Sequence, residues 1–403
     1  MKLGMNRGFV NILAALVIMA VMATSFVAGV SIGHQDTHQY SIAGTPVPTE
    51  LHQPLNDLWT AYQRLNADSY WRPFDHKALM YGAISGMLAN CCLPKDTHTA
   101  FLEPVVSHYQ SQALNEGVDG IGAAVQMTAG GLVITAPYFN SPAVHAGLKP
   151  GDLITAVDGH NIRGMDTSHA VGLIHGNAGT TVRLTIMRAN VSKPFVVKVI
   201  RAAIPTVIES SNGPLGYLQF NEFGSNTGPE VHGALNQLLK QHIKYLVLDL
   251  RDNGGGYVST VRQVASEFLS KGSVIYWDRS NLGNNKFSDV STTVTDPGIA
   301  QHLSVVVLVN GNTASASEIL TAALRENGRA KIVGTTTYGK GSEQEDLTLA
   351  DGSGLRITTT LWLTPHKHEV NGTGISPDIT VERSSGSQDN QLQRAVQLAL
   401  TGH

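Results

Sequence analysis

With 403 residues the chain is too long for one ordinary hydrophobic core, so two or three domains are expected. Its 28 Lys and Arg stand against 31 Asp and Glu, there is no basic stripe, and aromatics make up only 6% of residues, which excludes a nucleic-acid backbone as its partner. The 41 glycines fit tight turns and close backbone approaches better than a helical bundle.

From Gly8 to Gln35 there is no Asp, Glu, Lys or Arg, and Lys2 and Arg7 precede this stretch, the pattern of an export signal. The apolar run Ile12 to Gly33 is 22 residues. A cleaved signal's core is roughly 7 to 15 residues and a membrane span roughly 20, so an uncleaved anchor is preferred over a cleaved signal peptide. Ala23, Ser25 and Ala28 supply the small residues that cleavage would need. Either way the basic flank stays inside and the rest of the chain is exported to a cell-envelope or periplasm-like compartment. Residues 1–35 are therefore read as signal peptide or anchor, and 36–50, with Pro46 and Pro48, as a linker.

Residues 51–103 form a helical segment, because Leu58, Tyr62 and Leu65, then Ala78, Leu79, Ile84 and Leu88, recur at helical spacing. Such helices pack against a neighbour or a second copy. Cys91 and Cys92 are adjacent; neighbouring cysteines rarely bridge without distorting the backbone, and they are read as small apolar residues ending a helix.

Between Val118 and Ile200 short β-rich runs (AAVQM, LVITAPY, LITAVDG, VRLTIMR, FVVKVI) alternate with Gly and Pro turns, which suits a small β domain with one or two helices. Beyond Arg201, strands LGYLQF, YLVLDL, VVVLV, KIVGT and LRITTTLWL alternate with helices near Glu230 to Gln241 and Ser317 to Asn327 in α/β fashion. A last helix, DNQLQRAVQLAL, closes the chain.

The chemistry concentrates in this last part. The apolar run Val305 to Val309 reads as a buried strand, Gly311 and Asn312 as a turn, and Ser317 onward as a helix. Ser315 then sits at a strand-to-helix elbow, where a hydroxyl stands beside free backbone N–H groups, as a nucleophile requires. No His lies in this segment, but Lys340 lies between Gly339 and Gly341, and a Ser-Lys pair is a known variant of the catalytic triad. An unperturbed Lys has a pKa of about 10.4, so Lys340 can act as base only if its surroundings favour the neutral amine. Gln344 can orient that amine without adding charge. Oxyanion donors are expected from the N–H of Ala316 and from the Gly254-Gly255-Gly256 loop, with Gly255 preferred. Ser317 is a candidate N-cap. Asp252 and Glu318 read as turn and first-turn helix residues rather than acid-base partners. His366 and His368 sit at alternate strand positions; without a third ligand they read as a solvated strand edge, and no metal is expected.

Several motifs together carry a resemblance: TASASEIL followed by the Tyr338 to Gln344 segment YGKGSEQ, DTHTAFL at Asp96 to Leu102, DGIGAAV at Asp119 to Val125, AGLKPGDLI at Ala146 to Ile154, and DLRDNGGG at Asp249 to Gly256. In this order and spacing they resemble the C-terminal processing (tail-specific) serine peptidases, from about Leu51 to the C-terminus. The resemblance implies an α+β multidomain chain: an N-terminal helical segment, a β-rich PDZ domain at 104–200, and a crotonase-like layered α/β peptidase core at 201–403 with a C-terminal helix. It implies a Ser315, Lys340, Gln344 set, no cofactor, and N-terminal helices that contribute to a homodimer. Many family members carry Pro where Gly254 stands. The implied partners are protein substrates with unstructured C-terminal tails, captured at Gly120, Ile121, Gly122 and Ala123, because a PDZ domain adds a peptide as an extra strand and holds its terminal carboxylate on backbone N–H groups. Two rivals remain at this point: a catalytically silent PDZ adaptor, and an acyl-transfer or isomerase enzyme of the crotonase-like fold.

Overall fold

The computed structural model describes residues 48–402, apart from 93–95, 97, 105, 109–117, 139–140, 166, 205–206 and 385–388. The export segment expected at 1–35 lies outside the described residues. Among those described, no helix is long and apolar enough to cross a membrane.

The chain divides into two units. The first comprises residues up to 107 together with 346–357. Helices α1 (Thr49–Asp68) and α2 (His76–Cys92) make up the N-terminal helical segment, and α1 begins inside the stretch expected to be linker. Leu51, Leu55, Leu58 and Leu65 fall on one stripe of α1 at helical spacing, yet all four are more than 40% exposed and no residue of α1 is buried. Helix α2 starts on the Asp75 carboxylate, which accepts the N–H groups of Lys77 and Ala78. Its end differs from expectation: Cys91 and Cys92 are joined to each other by a disulfide, at the last two residues of the helix. Strand β1 (Ala100–Leu102) pairs antiparallel with residues 354–356, and Tyr81 packs on Phe101 while donating to Asp351 at 2.5 Å.

The second unit holds everything else. Its first part is a small β domain. Strand β2 (Val118–Gly120) pairs with β9 (Ala202–Ile204), while β3 (Ala123–Thr128), β4 (Gly131–Pro137), β5 (Leu153–Val157), β7 (Thr181–Met187) and β8 (Phe195–Ile200) form one antiparallel sheet in that order, with β6 (His160–Asn161) attached to β5. Helices α3 (Pro142–His145) and α4 (Thr167–Ile174) complete it. Strand β7 shows why the sheet folds: Val182, Leu184 and Ile186, two residues apart, point into a core with Leu132, Ile134 and Ile154. The AGLKPGD turn is locked by Arg188, which donates to the buried Asp152 carboxylate at 2.6 and 2.7 Å and to the Gly147 carbonyl.

The second part is a layered α/β core. A sheet in the order β10 (Val207–Asn212), β11 (Leu215–Phe220), β12 (Tyr245–Asp249), β15 (Ser304–Val309), β16 (Ala330–Gly334) and β19 (Ile379–Thr380) is parallel except at β10. Strand β15 is apolar on both faces because both are covered: Val305, Val307 and Val309 meet helices α5 (Thr227–Lys240), α6 (Val258–Ser266) and α7 (Ala316–Glu326), while Val306 and Leu308 meet α8 (Asn390–Thr401) through Ala395, Leu398 and Ala399. Beside it β13 (Val274–Asn281) pairs with β14 (Phe287–Thr293) and with the end of β18 (Gly354–Leu363), to which β17 (Ser342–Thr348) also pairs. Helix α6 and the β13–β14 hairpin were not anticipated from the sequence.

Candidate active site

Strands β12 and β15 end side by side, so the loops that follow them meet. After β15 the chain turns through Asn310 to Ala314. The Thr313 hydroxyl donates to the Leu250 carbonyl at 2.8 Å, the Ala314 N–H to the Asn253 carbonyl at 3.0 Å, and Asn310 and Asn312 both donate side-chain N–H groups to Asp252. Asp252 is thus the turn residue expected of it. These bonds hold Ser315 at the start of α7 with φ 56° and ψ −119°, a left-handed conformation that costs a non-glycine residue about 1–3 kcal/mol. Ser315, rather than Ser317, is the N-cap; Ser317 lies within the first turn and is fully buried.

The glycine loop after β12 lies against this elbow. A Cβ on Gly255 (φ 102°) would stand 2.8 Å from the Ala314 carbonyl oxygen and 3.0 Å from the Ala316 nitrogen, and one on Gly256 would collide with Phe223, whereas a Cβ on Gly254 would meet nothing. The Gly255 N–H itself donates to Asn253 Oδ1 at 2.9 Å, and Asn253, fully buried, donates onward to the Phe220 carbonyl.

Lys340 is half-buried in a turn built as closely. Cβ atoms on Gly339 and Gly341 would lie 2.8 Å from the Gly374 nitrogen and 2.5 Å from the Asn371 nitrogen, so only glycine fits on either side. The Lys340 carbonyl accepts the Trp362 indole N–H at 2.9 Å, which pins the turn onto the end of β18. Gln344 points its amide nitrogen at the hydroxyls of Ser342 and Thr358, at 2.8 and 3.1 Å, which fixes the orientation of that side chain.

The residue that brings the two halves together is one the sequence reading set aside. Glu318, fully buried, accepts the Ser315 N–H at 2.9 Å and the Lys340 N–H at 2.8 Å on Oε2, and the Gly339 N–H at 2.7 Å and the Thr337 hydroxyl at 2.5 Å on Oε1. Burial pushes its pKa above the ordinary carboxylate value, and these four hydrogen bonds oppose that shift. Its only sequence signal was its place three residues after the N-cap, the Glu position of a capping box.

Two other groups lie beside this machinery. Glu343, next to Gln344, is pushed up to about 8 by burial and by Asp278, whose own pKa is raised by burial. Burial also pushes Glu222, one residue before Phe223, up to about 7.

The four residues expected to capture a peptide, Gly120 to Ala123, connect β2 to β3, and β3 is the edge of its sheet. Gly122 (φ 68°) packs so closely that a Cβ would lie 2.6 Å from the Ser141 Cβ. His366 and His368 are not strand residues. Lys367 between them is left-handed (φ 65°), and the turn aims both imidazoles at Glu326 at the far end of α7, where they line a cavity of about 640 Å³ away from Ser315. Among the described residues no three His, Cys, Asp or Glu side chains are grouped to hold a metal.

Residues 214–381 match the model of peptidase family S41, and residues 133–188 match a PDZ domain. The chain is 32% identical over 376 residues to the carboxy-terminal processing protease CtpB of Bacillus subtilis (strain 168), covering 91% of this chain and 76% of that protein. It is 34% identical over 333 residues to a probable CtpA-like serine protease of Staphylococcus aureus (strain COL), covering 81% of this chain and 65% of that protein. Among solved structures it is similar to a photosystem II D1 C-terminal processing protease, with a TM-score of 0.60, 28% identity, and coverage of 83% of this chain and 94% of that one. The chain therefore belongs to peptidase family S41, as a PDZ-containing serine endopeptidase of the carboxy-terminal processing kind.

Proposed function

We propose that this protein is exported, takes the unstructured C-terminal tail of a protein substrate into its PDZ domain, and cuts that substrate with Ser315 and Lys340. The observation that carries the reading is a strained serine at a strand-to-helix elbow, tied through a single carboxylate oxygen to the backbone of a glycine-flanked lysine.

The Ser315 hydroxyl attacks the scissile carbonyl while the neutral Lys340 amine takes its proton. The oxyanion is met by the Ala316 N–H, which opens α7, and by the Gly255 N–H, which exchanges Asn253 Oδ1 for the oxyanion. The Lys340 ammonium then protonates the departing amine. Water hydrolyses the acyl-enzyme with the same amine as base, and the Gln344 carbonyl oxygen orients it. No cofactor takes part.

The tail adds beside β3 as a new edge strand, with its terminal carboxylate on the N–H groups of Gly120 to Ala123 and an apolar or small last side chain in the pocket beyond. The segment Ile12 to Gly33 anchors the protein in the membrane of the cell envelope, and α1 provides the surface for a homodimer.

Cleavage of a tailed substrate is measured for the wild type, Ser315→Ala and Lys340→Ala. Cleavage by the wild type alone is expected. Equal turnover by all three removes the Ser-Lys assignment, and tail binding without cleavage by the wild type leaves the silent PDZ adaptor instead.

A further inference from the structure

We propose that Glu318 is the positioning residue of this site: its carboxylate fixes the Ser315 elbow and the Lys340 turn relative to each other. The proposal rests on the reading of those two residues as nucleophile and base.

A helix N-cap needs little from its third residue. In a capping box the Glu side chain reaches back to one N–H, that of the cap itself. Here that bond is one of four, and the other three come from Thr337, Gly339 and Lys340, on a separate turn beyond α7 and β16. Oxygen Oε2 is shared between the nucleophile's N–H and the base's N–H, so neither can shift without stretching a bond to the same atom. All four donors converge on a side chain with about four acceptor sites, so the carboxylate is filled by neutral donors. Its charge is balanced by N–H dipoles, including the positive end of α7.

The chain continues past Glu318. The Thr337 hydroxyl that donates to Oε1 itself accepts the Ile375 N–H at 2.7 Å, and the Gly372 N–H binds the Gly339 carbonyl at 2.8 Å. The lysine turn is thus held on one side by Glu318 and on the other by residues 371–375. Glu318 bonds the serine's own N–H, while the Tyr338 N–H of the same turn donates to the Thr313 carbonyl at 2.9 Å, two residues before Ser315. A glutamine has the same shape but presents an NH₂ where an acceptor is needed, so it sets donor against donor at one oxygen position while leaving the packing intact.

The test uses the full chain and three readouts: steady-state cleavage of a tailed substrate, the rate at which a fluorophosphonate labels Ser315, and tail binding by fluorescence anisotropy. In Glu318→Gln, kcat and the labelling rate are expected to fall together by roughly 100-fold, the cost of misplacing reacting groups by about 1 Å, while KM and tail affinity stay within about twofold. Wild-type kcat in this variant overturns the proposal, and so does a loss of tail binding in step with activity, which marks a general folding role. If Glu318→Gln does not fold, Thr337→Val decides: a several-fold loss in kcat at unchanged KM, restored in Thr337→Ser, supports the clamp, and wild-type kcat in Thr337→Val overturns it. Ser315→Ala and Lys340→Ala are run alongside. If these two cleave like the wild type, the reading of the catalytic pair has failed; if they are inactive and Glu318→Gln is not impaired, only the clamp has.

Discussion

Gly255 and Ser315 are in contact across the site: a Cβ placed on Gly255 would stand 2.8 Å from the Ser315 Cβ, nearer than real Cβ atoms come. Ser315 and the loop proposed to stabilise the oxyanion are therefore packed as one piece, and the three glycines of that loop are not equivalent. Gly255→Ala is expected to lower kcat by at least about 100-fold, the scale of losing one oxyanion donor. Gly254→Ala, at a position that is neither left-handed nor crowded, is expected to keep wild-type activity and stability within about 1 kcal/mol. Steady-state cleavage and thermal melts of both variants check this; equal behaviour of the two would contradict the contact.

Arg251 joins the end of β12 to the last helix. Its guanidinium donates to Asp249 at 2.6 Å and to Asp389 at 2.8 Å, and Asp389 in turn caps α8 by accepting the Leu392 N–H. Replacing Arg251 with Met leaves the buried Asp249 without its cation and loosens α8 from the sheet. A loss of about 3–5 kcal/mol is expected in urea unfolding, against about 1 kcal/mol for Asp389→Ala, where chiefly a cap is removed.

Glu343 sets a slope of stability with pH. Its folded pKa is raised, to about 8, so the native state holds a proton that the unfolded chain releases near its ordinary value. The contribution is complete below the unfolded pKa and is lost as pH rises through the folded one. Between pH 5 and 8 the wild type is therefore expected to lose stability relative to Glu343→Gln, by roughly 3 kcal/mol across the window. Glu222→Gln is expected to act with the same sign below pH 7. Melting temperatures taken through this range give the answer, and parallel curves for wild type and Glu343→Gln would count against it.

Helix α1 carries Leu51, Leu55, Leu58 and Leu65 on one stripe with none of them buried. If this stripe is the dimer surface, Leu55→Glu with Leu58→Glu yields a monomer by sedimentation equilibrium while the melting temperature of the remainder stays within a few degrees. An unchanged mass would place the dimer contact elsewhere or remove it.

Sequence alone reached the elements that depend on neighbours in the chain. The run Val305 to Val309, the turn after it and the helix behind Ser315 follow from residues within a few positions of one another, as do the two glycines flanking Lys340 and the alternation in β7. What tertiary structure decided is where hydrogen bonds end across long separations. Glu318 read as an ordinary first-turn acid because three of its four donors lie on another turn; Gly255 read as a free donor because Asn253's side chain gives no sign of bending back onto it. His366 and His368 looked like strand neighbours until a left-handed Lys367 turned both toward Glu326, and Cys91 and Cys92 looked inert until the end of α2 joined them. Periodicity and turn chemistry act over a few residues, so they are written in order along the chain, whereas a buried carboxylate takes whatever donors the packed layers bring to it, and only the folded backbone specifies which those are.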